Sequence, residues 1–367
     1  MNEVTPRLFV AATQQNDGKT TTSLGLFNAF KPRLGQIGFI KPVGQRFVDV
    51  EGKKIDEDTF LIEETYHVRT PMEDMSPIAV EPEFTRRYIE NANNDFLVRR
   101  IQNSFDRTCW EKDFAIIEGT GHAGVGSVFD LSNAHVARIL GSKVLMITGG
   151  GIGRPIDEIV LNKALFDKEG VEVVGVILNK VLPDKIDYIG DFARRGFARF
   201  GIELLGVIPI EPMLATPTLS QVCKEVNGKV INAKSKMRRR IERIIIGAMS
   251  SPNVIDHFQR GTLIITPGDR EDVILAAIST TSLQNPQGHD LAGVVLSGDL
   301  RPHASIMELI KASELPVIAS PLDSYTVASK VNSMTIKTLP GDAEKISKIQ
   351  GLIDKHVDVE RLLEKLL

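Results

Sequence analysis

Short, unbroken apolar runs alternate with amphipathic stretches along the first two thirds of the chain. The runs are Leu8 to Ala12, Gln36 to Gly44, Phe114 to Ile117, Lys143 to Thr148, Val173 to Leu178 and Leu204 to Ile208. Runs without polar alternation read as strands buried on both faces. Between them, Thr21 to Phe30 places Leu24, Leu26, Phe27 and Phe30 at helical spacing, and the stretches after Asp58 and from Gly153 through Lys168 do the same. A strand–helix alternation of this kind predicts an α/β fold with a mainly parallel, doubly wound sheet. Right-handed crossovers then bring the C-terminal ends of the strands to one edge. Further runs at Leu263–Thr266, Val294–Ser297 and Leu315–Ser320 predict a second, smaller α/β domain. The expected boundaries are 1–215, 216–330 and a C-terminal helical extension, 331–367, packed on the second domain or on a second subunit. Apolar Ile346, Ile349, Leu352, Ile353, Leu362, Leu363 and Leu366 mark that extension.

The first run leads into a polar loop that closes with Gly18-Lys19-Thr20 and opens a helix. Strand, loop, Gly-Lys-Thr and helix is the order of a phosphate-binding P-loop. Backbone N–H groups wrap the phosphates there, and the helix N-terminus favours negative charge. Thr13, Asp17, Gly18, Lys19, Thr20 and Thr21 are the nucleotide-binding candidates. In these roles Lys19 reaches the β- and γ-phosphates and Thr20 holds Mg²⁺. The usual pattern has Gly five residues before Gly18, where this chain has Thr13. An ordinary strand–turn–helix is the competing reading of the stretch taken alone.

Other strand ends supply the remaining chemistry. Lys41-Pro42 ends the second run, where a lysine can face the ligand crevice or simply solvent. Asp56 and Asp58 stand at a helix start, the place for caps or for a metal ligand. Glu118 ends a buried run beside a glycine-rich turn and suits a carboxylate that holds Mg²⁺. Thr20, Asp58 and Glu118 are therefore the metal candidates. The turn Gly149-Gly150-Gly151-Ile152-Gly153 lacks dinucleotide spacing and reads as close packing around the nucleotide site. Residues 66–111, with Pro71, Pro77 and Pro82 and a helix-like stretch from Thr85 to Phe105, read as a lid or partner-contacting insertion.

Composition narrows the class. The chain has 367 residues, an ordinary apolar content and a net charge of -3, so neither nucleic acid nor a membrane surface is expected as a partner. Two distant cysteines, Cys109 and Cys223, argue against a disulfide scaffold or zinc site and fit a reducing cytoplasm. No signal peptide or membrane-spanning run is evident. Lys229 to Arg243 carries seven Lys or Arg residues and reads as a solvated helix face, with a nucleic-acid or acidic-partner patch as the alternative.

In their order, these landmarks resemble the dethiobiotin synthetase branch of P-loop proteins. Ala12-Thr-Gln-Gln-Asn-Asp-Gly-Lys-Thr20 is similar to its Gly-Thr-Asp-Thr-x-x-Gly-Lys-Thr loop, and that branch has Thr at the position of Thr13. Lys41-Pro42-Val43 resembles its Lys-Pro-Val, Asp58-Thr-Phe-Leu its Asp-Ala-Leu, and Glu118-Gly119-Thr120-Gly121 its Glu-Gly-Ala-Gly. The resemblance gives Asn179 the adenine-reading role, places Pro209 in the loop over the base, and implies ATP, Mg²⁺ and a homo-oligomer. Gln14 and Asn16 replace acidic residues, Gly44-Gln45-Arg46 replaces the substrate-binding Ser, and Gly121-His122 replaces a Gly-Gly pair. Dethiobiotin synthesis itself is therefore not expected.

From residue 216 onward the chain resembles a DRTGG domain. Asp269-Arg270 matches its first part, while Ser297-Gly298-Asp299 departs from its Thr-Gly-Gly. These turns suit a small anionic ligand with Arg270 as the charge, or alternatively a structural turn and ion pair. The two modules together resemble the N-terminal half of long bacterial phosphotransacetylases. The acetyltransferase domain of those enzymes has no counterpart before Leu367, so acetyl transfer is not expected from this chain alone. Two functional classes follow. One is a nucleotide-dependent regulatory or sensor protein. The other is an ATP-dependent ligase that activates a small carboxylate as an acyl phosphate, with Lys19 and Lys41 as catalytic residues and Lys41 holding the acceptor anion.

Overall fold

The computed structural model describes residues 2–282 and 290–367. The chain divides into two compact units, one formed by the residues up to Glu211 together with Thr338–Leu367, the other by Pro212–Lys337.

The first unit is built on six strands: β1 (Arg7–Ala12), β2 (Ile37–Ile40), β3 (Phe114–Glu118), β4 (Lys143–Thr148), β5 (Val173–Val181) and β6 (Leu204–Pro209). They are all parallel, in the order β6-β5-β4-β1-β3-β2. The unbroken apolar runs have their cause here, since every residue of β1 and β3 is buried. On one face Phe9, Ala11, Ile117, Met146 and Leu178 share a core with Ile101, Phe105, Ile159 and Phe197. The other face is covered by α1 (Lys19–Leu34), which packs on β1 and β3. Because β1 lies between β3 and β4, its C-terminal end faces the crevice where the chain reverses direction across the sheet, the usual ligand position in such folds.

Three sequence expectations change. Residues 66–111 are not a lid. Tyr88, Leu97, Ile101, Phe105 and Cys109, on or just after the helices Phe84–Glu90 and Asn94–Thr108, are buried in the first unit's core. The C-terminal helices Ala343–His356 and Val359–Leu366, expected with the second domain, belong to the first unit. The first of them lies so close to α1 that a Cβ on Gly25 would stand 2.1 Å from Ile353 Cγ1. Tyr66 stacks on Phe27, donates to the Leu24 carbonyl at 2.7 Å and accepts from Gln350 at 3.1 Å. Val357 bridges Gly206 and so covers the open edge of β6. An amphipathic stripe announces burial but not its partner, and the complementary signal was the missing side chain at Gly25.

The second unit has its own five-stranded sheet. Arg243–Ile246, Thr262–Pro267, Gly293–Ser297 and Val317–Ala319 run parallel, and Lys229–Asn232 pairs antiparallel at one edge. The basic segment 229–243 is consequently not a helix face. It spans two strands and a short 3-10 turn, Lys234–Lys236. Within it Lys236 pairs with Glu314 at 2.5 Å and Arg239 with Asp290 at 2.8 Å.

Candidate functional site

The P-loop follows β1 directly. Thr13 N donates to the Ile147 carbonyl at 2.9 Å, which extends the ladder one residue past the strand. Asn16 (φ 70°) and Gly18 (φ 106°) then turn the chain through the left-handed region. At Gly18 a side chain is excluded on two grounds, since its Cβ would also lie 2.1 Å from Asn179 Nδ2. The helix that follows has neither a side-chain cap nor an acidic residue in its first turn. Its positive end is left for an external anion.

Lys19 is buried, and its ammonium donates to the carbonyls of Gly121 at 3.0 Å and Gln14 at 3.3 Å. Burial pushes its pKa down to about 8, with Glu118 as the main opposing charge. Thr20 Oγ1 donates to Glu118 Oε1 at 2.9 Å, which joins the loop to the end of β3. Thr21 is half-buried in the first turn of α1.

Opposite Thr20 is a buried charged cluster. Asp56 caps α2 (Glu57–Tyr66), accepting from the Asp58 N–H at 2.9 Å, so both carboxylates sit at that helix start. Lys41, at the end of β2, places its ammonium against Asp58, 3.2 Å from Asp56 and 3.6 Å from Glu118. Lys41, Asp56, Asp58 and Glu118 are all buried. Burial opposes the lysine's charge, but the three carboxylates outweigh it and raise its pKa. Burial lifts Glu118 to about 7, with Lys41 opposing and Asp58 adding to the rise. Glu118 Oε2 is buried with no hydrogen-bond partner. Lys41 thus meets three carboxylates, not the open crevice expected for a residue that holds an acceptor anion.

Does this cluster suit Mg²⁺? The carboxylates of Asp58 and Glu118, the latter with one unpartnered buried oxygen, and the Thr20 hydroxyl are the hard oxygen donors that the ion prefers. Among the described residues, no group of three or more His, Cys, Asp or Glu is arranged to hold a metal ion. The ammonium of Lys41 stands between the carboxylates instead.

On the loop's other flank the sequence pointed to Asp17, Asn179 and Pro209 but not to Glu158. Asp17 accepts from Thr13 Oγ1 at 2.9 Å and from Gln14 N–H at 2.8 Å, and burial raises its pKa. Glu158 accepts from Gln14 Nε2 at 2.5 Å and from Arg154 at 2.6 Å. It lies on the helix Gly153–Lys168, and the Arg154–Glu158 spacing of four was the available signal. Asn179, buried near the end of β5, donates from Nδ2 to the Asp17 carbonyl at 2.8 Å and accepts the Lys180 N–H at 2.9 Å on Oδ1. Its carboxamide therefore buttresses the loop. Pro209 pairs in register with Val181, on the same sheet edge.

In the second unit the candidate groups are used internally. Arg270 donates to the carbonyls of Met249 at 2.7 Å and Gly247 at 3.2 Å and pairs with Asp272 at 2.9 Å. The ion pair that Arg270 makes is with Asp272, not with the Asp269 of the expected turn. Gly298 N–H donates to Leu322 O at 2.7 Å and Asp299 N–H to Ser320 O at 3.2 Å. A Cβ on Gly268 would lie 1.9 Å from the Leu300 carbonyl, so the two turns close on each other.

Comparison with known proteins agrees with this division. Residues 6–218 match the AAA domain family and residues 221–334 the DRTGG domain family. The phosphate acetyltransferase of Pseudomonas aeruginosa is 29% identical over 374 residues, covering 97% of this chain and 51% of that protein. That of Synechocystis is 26% identical, covering 99% and 52%. The chain spans about half the length of these curated relatives. Among solved structures, the septum site-determining protein MinD of Pyrococcus horikoshii, complexed with Mg-ADP, is 15% identical over 58% of this chain and 84% of that one, with a TM-score of 0.35. The CBS and DRTGG domains of the Clostridium perfringens pyrophosphatase regulatory region, complexed with the activator diadenosine tetraphosphate, are 18% identical over 38% of this chain and 60% of that one, at 0.27. Through residues 6–218, more than half of its length, the chain belongs to the AAA domain family of P-loop proteins and joins to it a DRTGG domain.

Proposed function

We propose that the chain binds ATP with Mg²⁺ at the C-terminal edge of the first sheet and acts as a nucleotide-dependent regulatory or sensor protein. The observation that carries this is the convergence of Lys19, Thr20, Glu118 and an uncapped helix start on one strand end. In this role the loop N–H groups and Lys19 bind the phosphates, and Gly18 allows the loop to rest against Asn179. Thr20, Asp58 and Glu118 would hold Mg²⁺, whose positive charge would offset that of the β- and γ-phosphates. Asn179 and Pro209 would border the adenine. Homo-oligomerisation is proposed from the dethiobiotin synthetase resemblance, and light scattering of the purified chain checks it.

Regulation is favoured over ligation by Lys41. A ligase of the dethiobiotin synthetase type needs that lysine for its acceptor, and here three carboxylates enclose it. The similarity to phosphate acetyltransferases suggests the reaction being regulated: the nucleotide state of this region would tune an acetyl-transfer activity located elsewhere. The test is a calorimetric titration with ATP·Mg²⁺ followed by a phosphate-release assay across small carboxylates. Saturable binding without acceptor-dependent release is expected. Strong release with any one carboxylate would establish the ligase instead.

A further inference from the structure

We infer that Lys41 is a built-in counter-cation that occupies the metal position of the free protein, so that a divalent ion and Lys41 compete for Asp58 and Glu118. The inference rests on the metal reading above and adds to it how that position is controlled.

Three carboxylates buried together repel one another strongly, and in a low-dielectric site they require a cation. Lys41 is the cation at their centre, held against Asp58 and 3.2 Å from Asp56. Its backbone cannot drift, because Lys41 N–H is bound to Met75 O at 2.8 Å at the end of a buried strand. Only the flexible stem can move the charge.

The ammonium does not complete the cluster. Glu118 Oε1 lies 3.6 Å away, beyond hydrogen-bond reach, and buried Glu118 Oε2 makes no well-formed hydrogen bond, with the Ser23 hydroxyl nearby. A buried carboxylate oxygen left this way is costly. A small divalent ion answers both carboxylates with a charge that one ammonium lacks.

The test needs no nucleotide. Metal-free full-length chain is melted in EDTA and again with increasing Mg²⁺, and Mn²⁺ affinity is measured by the electron paramagnetic resonance of the free ion. Wild-type stability should barely respond to Mg²⁺. Lys41→Met should melt lower in EDTA, regain most of that loss with saturable Mg²⁺ dependence, and bind Mn²⁺ at least about tenfold more tightly than wild type. The double variant Lys41→Met/Asp58→Asn keeps the cluster's net charge, because one carboxylate is lost along with the lysine. It should fold in EDTA and lose most of the Mg²⁺ response. A Lys41→Met protein that shows no more response to Mg²⁺ than wild type, or that stays unfolded even with Mg²⁺, overturns the proposal. Either result leaves the ATP reading standing, since that depends on Lys19.

Discussion

The parallel strands of two sheets in this chain end in glycine-containing turns, and they end differently. At the edge of the first sheet, donors and charges are left over: an uncapped helix start, a lysine with a lowered pKa and a carboxylate oxygen without a partner. At the edge of the second, Arg270 is bound to backbone carbonyls and Asp272, and the N–H groups of Gly298 and Asp299 are bound to Leu322 and Ser320. The glycine-containing turns thus leave groups unpaired at the edge of one sheet and internally bonded groups at the edge of the other. What separates them is the accounting of hydrogen-bond partners, which a motif does not reveal.

The largest expected effect tests what supports the first edge. Ile353 is fully buried against Gly25 of the P-loop helix. Ile353→Asp should destabilise the first unit by about 3–5 kcal/mol, seen as a lower denaturant midpoint and loss of nucleotide binding. An unchanged midpoint would mean that the C-terminal helix does not pack there. Arg270→Ala should cost about 1–2 kcal/mol, because partly exposed charge-assisted hydrogen bonds contribute modestly. Nucleotide affinity should stay the same. A fall in affinity with unchanged stability would make Arg270 a ligand-binding residue.

The smallest effect is a pH dependence. Glu118 is raised from its usual 4.5 to about 7, so the folded state holds an extra proton between these values. Its stability contribution is fully present below about 4.5 and is lost as pH rises through about 7. Melting temperature of the nucleotide-free protein should therefore decline across that window, and Glu118→Gln should flatten the decline. Lys19 acts elsewhere: lowered to about 8 from 10.5, it adds stability as pH rises between these values.

Much of the first edge was legible in the sequence because strand ends are fixed by local pattern and crossover handedness. Gly18, Lys41, Glu118 and Asn179 could be placed together on that basis alone. What could not be read was which partner each side chain takes. Lys41 pairs with carboxylates 15 and 17 residues further along and stands 3.6 Å from one on a different strand, and Asn179 holds the loop's own backbone. The segment 229–243 misled for a related reason, since charge density says little about strand or helix when ion pairs to Glu314 and Asp290 absorb it. Glu158 was overlooked because its partners, Gln14 and Thr13, are more than a hundred residues away.

The central claim is that the first edge binds nucleotide and the second does not. Calorimetric titration of ATP·Mg²⁺ into wild type, Lys19→Ala and Arg270→Ala tests it side by side. Lys19→Ala should weaken binding at least about 100-fold, roughly 2.8 kcal/mol, while Arg270→Ala should stay within about twofold of wild type. Unchanged affinity in Lys19→Ala, or a loss confined to Arg270→Ala, would contradict it.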